Sequence, residues 1–322
     1  MQSKDIRIVF MGTPEFAVAS LRALVEGGYN VVAVVTTPDR PAGRGQKLHL
    51  SDVKVEAQRL GLPILQPEKL KSEEFVEAMR NLKPDLGIVI AFRMLPEIIW
   101  AMPKHGTFNL HASLLPQYRG AAPINHAIIN GDKVSGVTTF LLNHEIDKGA
   151  IIGQKEVAIE DSDNVGSLYD KLMNIGTGLV IESVEKIAAG DISPIEQAHI
   201  DESTLRPAPK IFKEDCKIDW SLNGEKIVNI IRGLSPYPAA WSTLYMQDKE
   251  PTSVKIFDAS FKAIDDQVAV GTILSDGKSE IKVRCKDGYI SIASLQMAGK
   301  KRLNTKELLL GMKNITDYNT IK

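Results

Sequence analysis

The stretch from residue 108 to residue 124 contains the side chains best suited to chemistry. Asn109 and His111 are two residues apart, and on an extended strand that spacing places both side chains on one face. Asn109 brings an amide that donates hydrogen bonds, and His111 brings an imidazole that gains or loses a proton near neutral pH. Such a pair suits the stabilisation of an oxyanion while a proton moves. The same pair also occurs in purely structural positions, so by itself it names no reaction.

A mostly parallel, doubly wound α/β sheet is the predicted frame for this pair. Short apolar runs predict buried strands, and amphipathic stretches between them predict helices. Strands are predicted over residues 6–10, 31–36, 86–91, 107–111, 137–142 and 151–157, and helices over 14–27, 52–60, 72–82, 122–130 and 165–189. Because ligands bind at the carboxyl ends of strands in such sheets, we expect Asn109 and His111 at a ligand site.

The sequence pattern changes near residue 190. Three prolines and little periodicity in residues 191–213 indicate a linker. Beyond it, a helix near 224–233 precedes short strands separated by turn signals, which predicts a small β-barrel. Those strands are predicted over residues 241–245, 253–259, 268–274, 281–284 and 289–295. We therefore predict an N-terminal domain over 1–190, a linker over 191–209 and a C-terminal domain over 210–322.

Composition indicates an ordinary globular protein located in the cytoplasm. The chain has 322 residues, of which 43% are hydrophobic and 25% charged, with a net charge of −1. The longest apolar runs are too short to span a bilayer, and the first residues lack the apolar core of a signal peptide. The two cysteines, Cys216 and Cys285, lie far apart, which argues against a disulfide scaffold or a zinc site. The histidines show no metal-ligand spacing, so no metal is expected.

The motif around the Asn–His pair resembles the signature of folate-dependent formyltransferases. The string reads Asn109-Leu110-His111, Ser113-Leu114-Leu115-Pro116 and then Arg119-Gly120. The family pattern also includes an Asp-x-Gly loop further along the chain, and Asp147-Lys148-Gly149 matches it. Further family strings occur at residues 12–16, 218–221 and 294–301, so the resemblance covers essentially the whole chain.

The resemblance implies the reaction, the cosubstrate and the residues of the site. It implies transfer of the formyl group of 10-formyltetrahydrofolate to an amine, through a tetrahedral intermediate. The implied catalytic residues are Asn109, His111 and Asp147. Asn109 would donate to the oxyanion, His111 would donate as an imidazolium, and Asp147 would pair with His111 and accept a proton from the amine. The residues implied to hold folate are Ser113, Leu114, Leu115, Pro116, Phe92 and Leu95.

A basic loop and the C-terminal half indicate tRNA as the acceptor. Residues 38–45 resemble an insertion peculiar to the methionyl-tRNA formyltransferases, which in that family reaches the acceptor end of the tRNA. The family's second domain is an oligonucleotide-binding-like (OB-like) barrel that helps to hold tRNA, and residues 206–322 carry 19 Lys and Arg against 14 Asp and Glu. The implied tRNA contacts are Arg44, Lys47, Arg40, Lys300 and Lys301.

The resemblance therefore implies formylation of the α-amino group of methionyl-initiator tRNA, for translation initiation, by an enzyme expected to be a monomer without an obligate protein partner. Three alternatives stay open: a formyltransferase that acts on a small amine such as an amino-sugar nucleotide or a glycinamide, a binding protein without turnover, and hydrolysis of the formyl group by water. The basic loop and the barrel-like C-terminal half favour tRNA, since a small substrate needs neither.

Two segments depart from the usual family pattern. Residues 91–96 are one residue shorter than the family's Ala-Tyr-Gly-x-x-Leu-Pro string, and residues 143–146 replace a run that contains Gly-Leu. Lys148 also stands where Thr is common. Because of these changes, the resemblance does not specify the contacts to the pterin ring. It still implies the same reaction. Trp220 and Trp241 are expected to pack in the core of the second domain rather than to stack on bases.

Overall fold

The computed structural model describes residues 2–42, 47–197, 201–246, 249–312 and 315–321. The chain divides into two compact units. The first unit consists of Met1–Gly120, Ser135–Val157 and Tyr169–Pro207, and the second of Ala121–Val134, Ala158–Leu168 and Ala208–Lys322. Neither unit is continuous in sequence, because two short segments between residues 121 and 168 pack with the C-terminal part of the chain.

The first unit is built on a twisted sheet with helices. The strands of this sheet are β1 (Ile8–Gly12), β2 (Val31–Val35), β5 (Ile64–Leu65), β6 (Leu86–Ile90), β7 (Thr107–His111), β8 (Val134–Leu141) and β9 (Ile151–Ala158). The strands β3 (Arg40–Ala42) and β4 (Lys47–His49) form a separate two-stranded sheet. The helices of the first unit are α1 (Glu15–Glu26), α2 (Asp52–Arg59), α3 (Glu73–Asn81) and α4 (Glu97–Trp100), with 3₁₀ turns at Ser3–Asp5 and Glu202–Thr204. The helix α5 (Pro123–Ile129) belongs to the second unit, and α6 (Val165–Ala189) begins in the second unit and continues in the first. The sheet order is β5-β2-β1-β6-β7-β8-β9.

The parallel part of this sheet explains why its strands read as continuous apolar runs. The pairs β5/β2, β2/β1, β1/β6 and β6/β7 are parallel, whereas β7/β8 is antiparallel. Every residue of β1 and of β6 is buried, as expected for strands covered on both faces. The predicted α/β fold class is therefore confirmed, with β7 at the place where parallel pairing gives way to antiparallel pairing.

Four short elements of the first unit, β3, β4, β5 and α4, are not predicted by the sequence pattern. The predicted loop 38–47 begins and ends in a hairpin, because β3 and β4 pair antiparallel from Arg40 with His49 to Ala42 with Lys47. The strand β5 has two residues and the helix α4 has four. Segments of that length complete little more than one period of a strand or helix, which is too short for a repeat to be recognised.

The second unit carries an antiparallel sheet. Its further strands are β10 (Ala240–Met246), β11 (Thr252–Ala263), β12 (Ile273–Ser275), β13 (Ile281–Arg284), β14 (Gly288–Met297), β15 (Leu303–Asn304) and β16 (Tyr318–Ile321). Its further helices are α7 (Gly224–Leu234) and α8 (Thr305–Gly311), and 3₁₀ turns lie at Glu214–Cys216 and Ile315–Asp317. The order β12-β13-β14-β11-β10-β16, with β15 beside β14, is consistent with the predicted OB-like class.

The strand predicted over 268–274 is shorter in the structure. Only β12, Ile273–Ser275, pairs with β13. The preceding residues form turns, since Asp266 Oδ1 accepts a hydrogen bond from the Val268 N–H at 3.2 Å and the Thr272 N–H donates to the Ala269 carbonyl at 3.1 Å. In these residues, hydrogen bonds within the turns take the place of the strand pairing that the apolar run predicted.

The tryptophans and cysteines of the second unit are packed, as expected. Trp220 is 3% exposed and donates its indole N–H to Ser242 Oγ at 3.0 Å. Trp241 is half-buried and donates to the Lys213 carbonyl at 2.8 Å. Cys216 and Cys285 are free and buried, and burial raises the pKa of both thiols. Within the described ranges, no helix combines the length and the apolarity needed to cross a membrane.

Candidate active site

The strand β7 positions the Asn–His pair. Asn109 is paired with Val89 of β6 on one side and with Phe140 of β8 on the other, and His111 is paired with Thr138. Backbone hydrogen bonds to both neighbours therefore hold the strand. The Asn109 side chain is half-buried, and no described residue forms a hydrogen bond with its amide. This amide is free to donate to a ligand at the carboxyl end of the strand.

The ring of His111 has a defined tautomer. The side chain is 8% exposed, and its Nε2 atom lies 2.9 Å from the Tyr118 carbonyl oxygen. Because a carbonyl oxygen only accepts hydrogen bonds, Nε2 must carry a proton. The Nδ1 atom is therefore the nitrogen that is left to accept or release a proton.

The turn after β7 is held by side chains from β8 and β9. Ser113 Oγ donates to the Gln117 carbonyl at 2.6 Å, and Thr138 Oγ1 donates to the Ser113 carbonyl at 2.7 Å. Thr138 Oγ1 accepts from the Leu115 N–H at 3.0 Å, and Gln154 Nε2 donates to the Leu115 carbonyl at 2.8 Å. Ser113 thus fixes the shape of a turn that contains four of the residues implied to hold folate.

The loop between β8 and β9 carries Asp147. Its Oδ2 atom accepts the Gly120 N–H at 3.0 Å, and Arg119 Nε donates to the Asp147 carbonyl at 3.2 Å. No described residue donates to Oδ1, so one carboxylate oxygen is anchored and the other is available. A Cβ atom at Gly149 would lie 1.6 Å from the Leu141 carbonyl oxygen. This close approach explains why the Asp-x-Gly loop requires glycine at its third position.

The structure joins His111 and Asp147 through one short segment rather than by direct contact. The two side chains form neither a hydrogen bond nor an ion pair with each other in the part of the chain that the structure describes. Instead, Tyr118 holds the imidazole through its carbonyl, and Gly120 holds the carboxylate through its N–H. Residues 118–120 therefore set the separation of the two acid–base groups. The sequence pattern does not predict this arrangement.

The wall expected from residues 91–96 packs on the core of the first unit. Leu95 is 8% exposed and belongs to a cluster with Val89 and Ile99, and Phe92 packs against that cluster. The Arg93 guanidinium lies over the Phe92 ring, 5.6 Å from its centroid, and Nη1 donates to the Glu68 carbonyl at 3.0 Å. Burial lowers the pKa of Arg93, and no described residue forms a hydrogen bond with its Nε atom.

The residues predicted to contact tRNA lie in both units. Arg44 lies outside the described residues, and Lys47 is described only as backbone at the start of β4. Arg40 is exposed at the start of β3, and Lys300 and Lys301 are exposed after β14. The assignment of all five residues to tRNA stays a prediction.

One residue near the site carried no sequence signal. Gln197 lies in the segment predicted to be a linker, yet it is 8% exposed and its Oε1 atom accepts from Arg119 Nη2 at 2.8 Å. A single Gln between two periodic regions has no distinguishing pattern, so only the fold reveals the contact. No group of three or more His, Cys, Asp or Glu in the described ranges is arranged to hold a metal ion.

Two family models match the chain. Residues 6–184 match the model described as formyl transferase, and residues 210–313 match that of the formyl transferase C-terminal domain. The methionyl-tRNA formyltransferase of Bacteroides thetaiotaomicron is 57% identical over 319 residues, with 99% of each chain covered. That of Flavobacterium johnsoniae is 50% identical over 310 residues, covering 96% of this chain and 97% of the relative.

Solved structures share the fold. The N-formyltransferase of Helicobacter canadensis, in complex with folinic acid and dTDP-3-aminofucose, has a TM-score of 0.62 at 19% identity and covers 92% of this chain and 100% of its own. HypX of Aquifex aeolicus, in complex with tetrahydrofolic acid, has a TM-score of 0.60 at 20% identity and covers 96% of this chain and 47% of its own. The two family models and the full-length relatives establish that the chain belongs to the formyl transferase family, among the methionyl-tRNA formyltransferases.

Proposed function

We propose that the protein transfers the formyl group of 10-formyltetrahydrofolate to the α-amino group of methionyl-initiator tRNA, which gives N-formylmethionyl-tRNA for translation initiation. The observation that carries this proposal is the arrangement around residues 118–120. That segment holds the ring of His111 and the carboxylate of Asp147, and β7 also carries Asn109, whose amide has no partner among the described residues.

Asn109 stabilises the oxyanion. When the amine attacks the formyl carbon, negative charge develops on the formyl oxygen of a tetrahedral intermediate. Among the described residues, the amide N–H bonds of Asn109 have no partner, so they are available to donate to that oxygen. Backbone pairing with β6 and β8 fixes the main chain from which this amide extends.

His111 and Asp147 move the protons. The attacking amine loses a proton as the carbon–nitrogen bond forms, and the folate N10 gains one as its bond to the formyl carbon breaks. Asp147 Oδ1 accepts the proton from the amine, directly or through water, because Oδ2 is engaged by Gly120. His111 Nδ1, when protonated, donates to the oxyanion or to the leaving nitrogen.

The remaining assignments follow the same proposal. The turn Ser113–Pro116 and the wall with Phe92 and Leu95 hold the folate. Residues 1–190 form the catalytic domain, 191–209 the connection and 210–322 the tRNA-binding domain. Arg44, Lys47, Arg40, Lys300 and Lys301 contact tRNA phosphates, which makes tRNA binding salt-dependent. The enzyme acts in the cytoplasm as a monomer, uses no metal and needs no obligate protein partner.

A direct assay tests the substrate. Purified protein is incubated with formyl-labelled 10-formyltetrahydrofolate and either methionyl-initiator tRNA or a dTDP-linked amino sugar, because the solved Helicobacter relative was crystallised with such a sugar. We expect label on the tRNA and none on the sugar. Formylation of the sugar alone would exclude the proposed acceptor, and release of formate without any acceptor would indicate hydrolysis.

A further inference from the structure

We propose that residues 195–197 and 201–206, here called the strap, form a positioning arm of the catalytic site, in which Gln197 fixes the backbone that carries Asp147. This inference rests on the proposed catalytic role of Asp147. Sequence alone indicates a linker here, since the surrounding segment has little periodicity. The contacts of the strap contradict a purely connecting role.

The strap begins by pairing with β9. The Ile151 N–H donates to the Ile195 carbonyl at 2.8 Å, and the Ile195 N–H donates to the Ile151 carbonyl at 2.9 Å. This two-way bridge lies directly after the Asp147 loop in the chain. It fixes the strap beside that loop and sets the position of Gln197 two residues further on.

The side-chain amide of Gln197 forms hydrogen bonds with the Asp147 loop and with Arg119. Nε2 donates to the Asp147 carbonyl at 3.1 Å and to the Gly149 carbonyl at 2.8 Å, while Oε1 accepts from Arg119 Nη2 at 2.8 Å. The orientation of the amide is unambiguous, because carbonyl oxygens only accept and a guanidinium only donates. Both amide hydrogens and the oxygen are therefore satisfied in a side chain that is 8% exposed.

The Asp147 backbone has an uncommon conformation, which the strap helps to hold. Its φ is +55°, in the left-handed region that L-residues other than Asn and Asp rarely adopt. Backbone of this kind persists when the surroundings hold it. Two donors reach the Asp147 carbonyl, one from Gln197 and one from Arg119 Nε, and Gln197 also holds Arg119 in place. Removal of the Gln197 side chain therefore weakens both hydrogen bonds to the Asp147 carbonyl, its own directly and that of Arg119 indirectly.

The far end of the strap supports His111. The Tyr118 N–H donates to the Arg206 carbonyl at 2.7 Å, and the Arg206 N–H donates to Gln117 Oε1 at 2.8 Å. Gln117 Nε2 in turn donates to the Thr204 carbonyl at 3.3 Å. Since the Tyr118 carbonyl holds His111, one segment of chain supports the anchors of both acid–base groups.

The first experiment measures steady-state kinetics of two variants. Gln197→Glu keeps the size of the side chain and its acceptor for Arg119 but turns an oxygen toward the Asp147 and Gly149 carbonyls. Gln197→Ala removes all three hydrogen bonds. We expect kcat to fall about 10- to 100-fold in both, as misplacement of a reacting group by about 1 Å does, with KM values for folate and tRNA within about twofold.

Gln58→Ala is the matched control. Gln58 is an exposed glutamine on α2, outside the strap, and no described residue forms a hydrogen bond with its side chain. We expect wild-type kcat from this variant. Wild-type kcat from Gln197→Glu and Gln197→Ala would overturn the inference, and so would an equal loss in all three variants.

Hydrogen exchange separates positioning from a general loss of stability. The Gly120 amide donates to Asp147 Oδ2, so its exchange rate reports directly on the carboxylate. In Gln197→Ala we expect faster exchange at Gly120, with the amides of β7 unchanged. Faster exchange throughout the first unit, without a selective effect at Gly120, would show a merely structural role and overturn the inference.

Asp147→Asn distinguishes this inference from the proposed function. If Gln197 acts through Asp147, adding Gln197→Ala to Asp147→Asn lowers the residual kcat by less than twofold. An unchanged loss of 10-fold or more in that background would overturn the inference while leaving Asp147 catalytic. Near-normal turnover of Asp147→Asn itself would instead refute the catalytic role of Asp147 on which this inference rests, whereas the labelled-formyl assay tests the proposed function.

Discussion

Two regions of the first unit present the proposed catalytic groups by different means. Asn109 and His111 lie on β7, where backbone pairing with β6 and β8 holds each residue whatever its side chain is. Asp147 lies in a loop that is held by side chains, from Gln197 and Arg119, and by the N–H of Gly120. The backbone ladder of the sheet thus fixes the position of the strand, whereas a few specific hydrogen bonds fix the position of the loop.

This difference predicts different sensitivity to mutation. A substitution on β7 removes the chemistry of one side chain and leaves the strand in place, because the ladder is made by the backbone. A substitution around the Asp147 loop displaces a carboxylate that is itself unchanged. Activity in the loop region therefore depends on residues that touch no substrate.

The largest effect is expected from loss of the oxyanion donor. Asn109→Ala removes the free amide without altering any backbone pairing, so kcat falls about 10²- to 10³-fold while the melting temperature stays near the wild-type value. Steady-state formylation of methionyl-tRNA and thermal unfolding together check this expectation. A large drop in melting temperature would show that the side chain, and not only the ladder, holds the strand.

A similar or somewhat smaller loss is expected from a change that leaves every catalytic group present. In Gly149→Ala the added methyl group collides with the Leu141 carbonyl, so the loop must move and Asp147 moves with it. We expect kcat to fall about 10- to 100-fold. The control is Gly311→Ala, because the added methyl group there meets no atom within 4 Å. Gly190→Ala is unsuitable as a control, because Gly190 has a φ of +70°. Normal turnover of Gly149→Ala would contradict the dependence of Asp147 on loop geometry.

A smaller effect is expected from the exposed ion pairs of the same loop. Lys148 Nζ lies 2.9 Å from Glu145 and 2.8 Å from Glu202, and both carboxylates are more than half exposed. Exposed pairs of this kind contribute about 0–1 kcal/mol, so Lys148→Met should change kcat less than about threefold. The change should shrink further at high salt. A loss as large as that of Gln197→Ala would show that charge, rather than the buried amide, holds the loop.

The smallest effect on activity is expected far from both regions. Hydrogen bonds from Arg59 and Arg22 lower the pKa of the buried Glu56 carboxyl to about 2. Glu56→Gln should leave kcat unchanged and cost about 1 kcal/mol of unfolding free energy near pH 7. Because the folded pKa is depressed, that contribution is present above the unfolded pKa of about 4.3 and disappears as pH falls toward 2. Denaturant unfolding at several pH values measures the difference, and a difference that persists at pH 2 would contradict the assignment.

Much of the fold was predictable, for a physical reason. Buried parallel strands such as β1 and β6 must be apolar throughout, so short runs of apolar residues identified them. The family resemblance around Asn109 and His111 is confirmed by the full-length relatives and the family models, and with it the enzyme class of formyl transfer. The assignment of individual catalytic, folate and tRNA residues stays a prediction that the variants above test.

The sequence by itself determined the strand that carries Asn109 and His111, because its apolar pattern lies in neighbouring residues, and the family resemblance indicated the glycine of the Asp147 loop. The steric reason for that glycine, the close approach of the Leu141 carbonyl, is visible only in the structure. Only the tertiary structure decided how the His111 ring and the Asp147 carboxylate are held. Tyr118, Gly120 and Gln197 act through hydrogen bonds whose partners lie 7, 27 and 50 residues away in the chain. No local pattern specifies such partners, since they depend on where the sheet brings separate loops together.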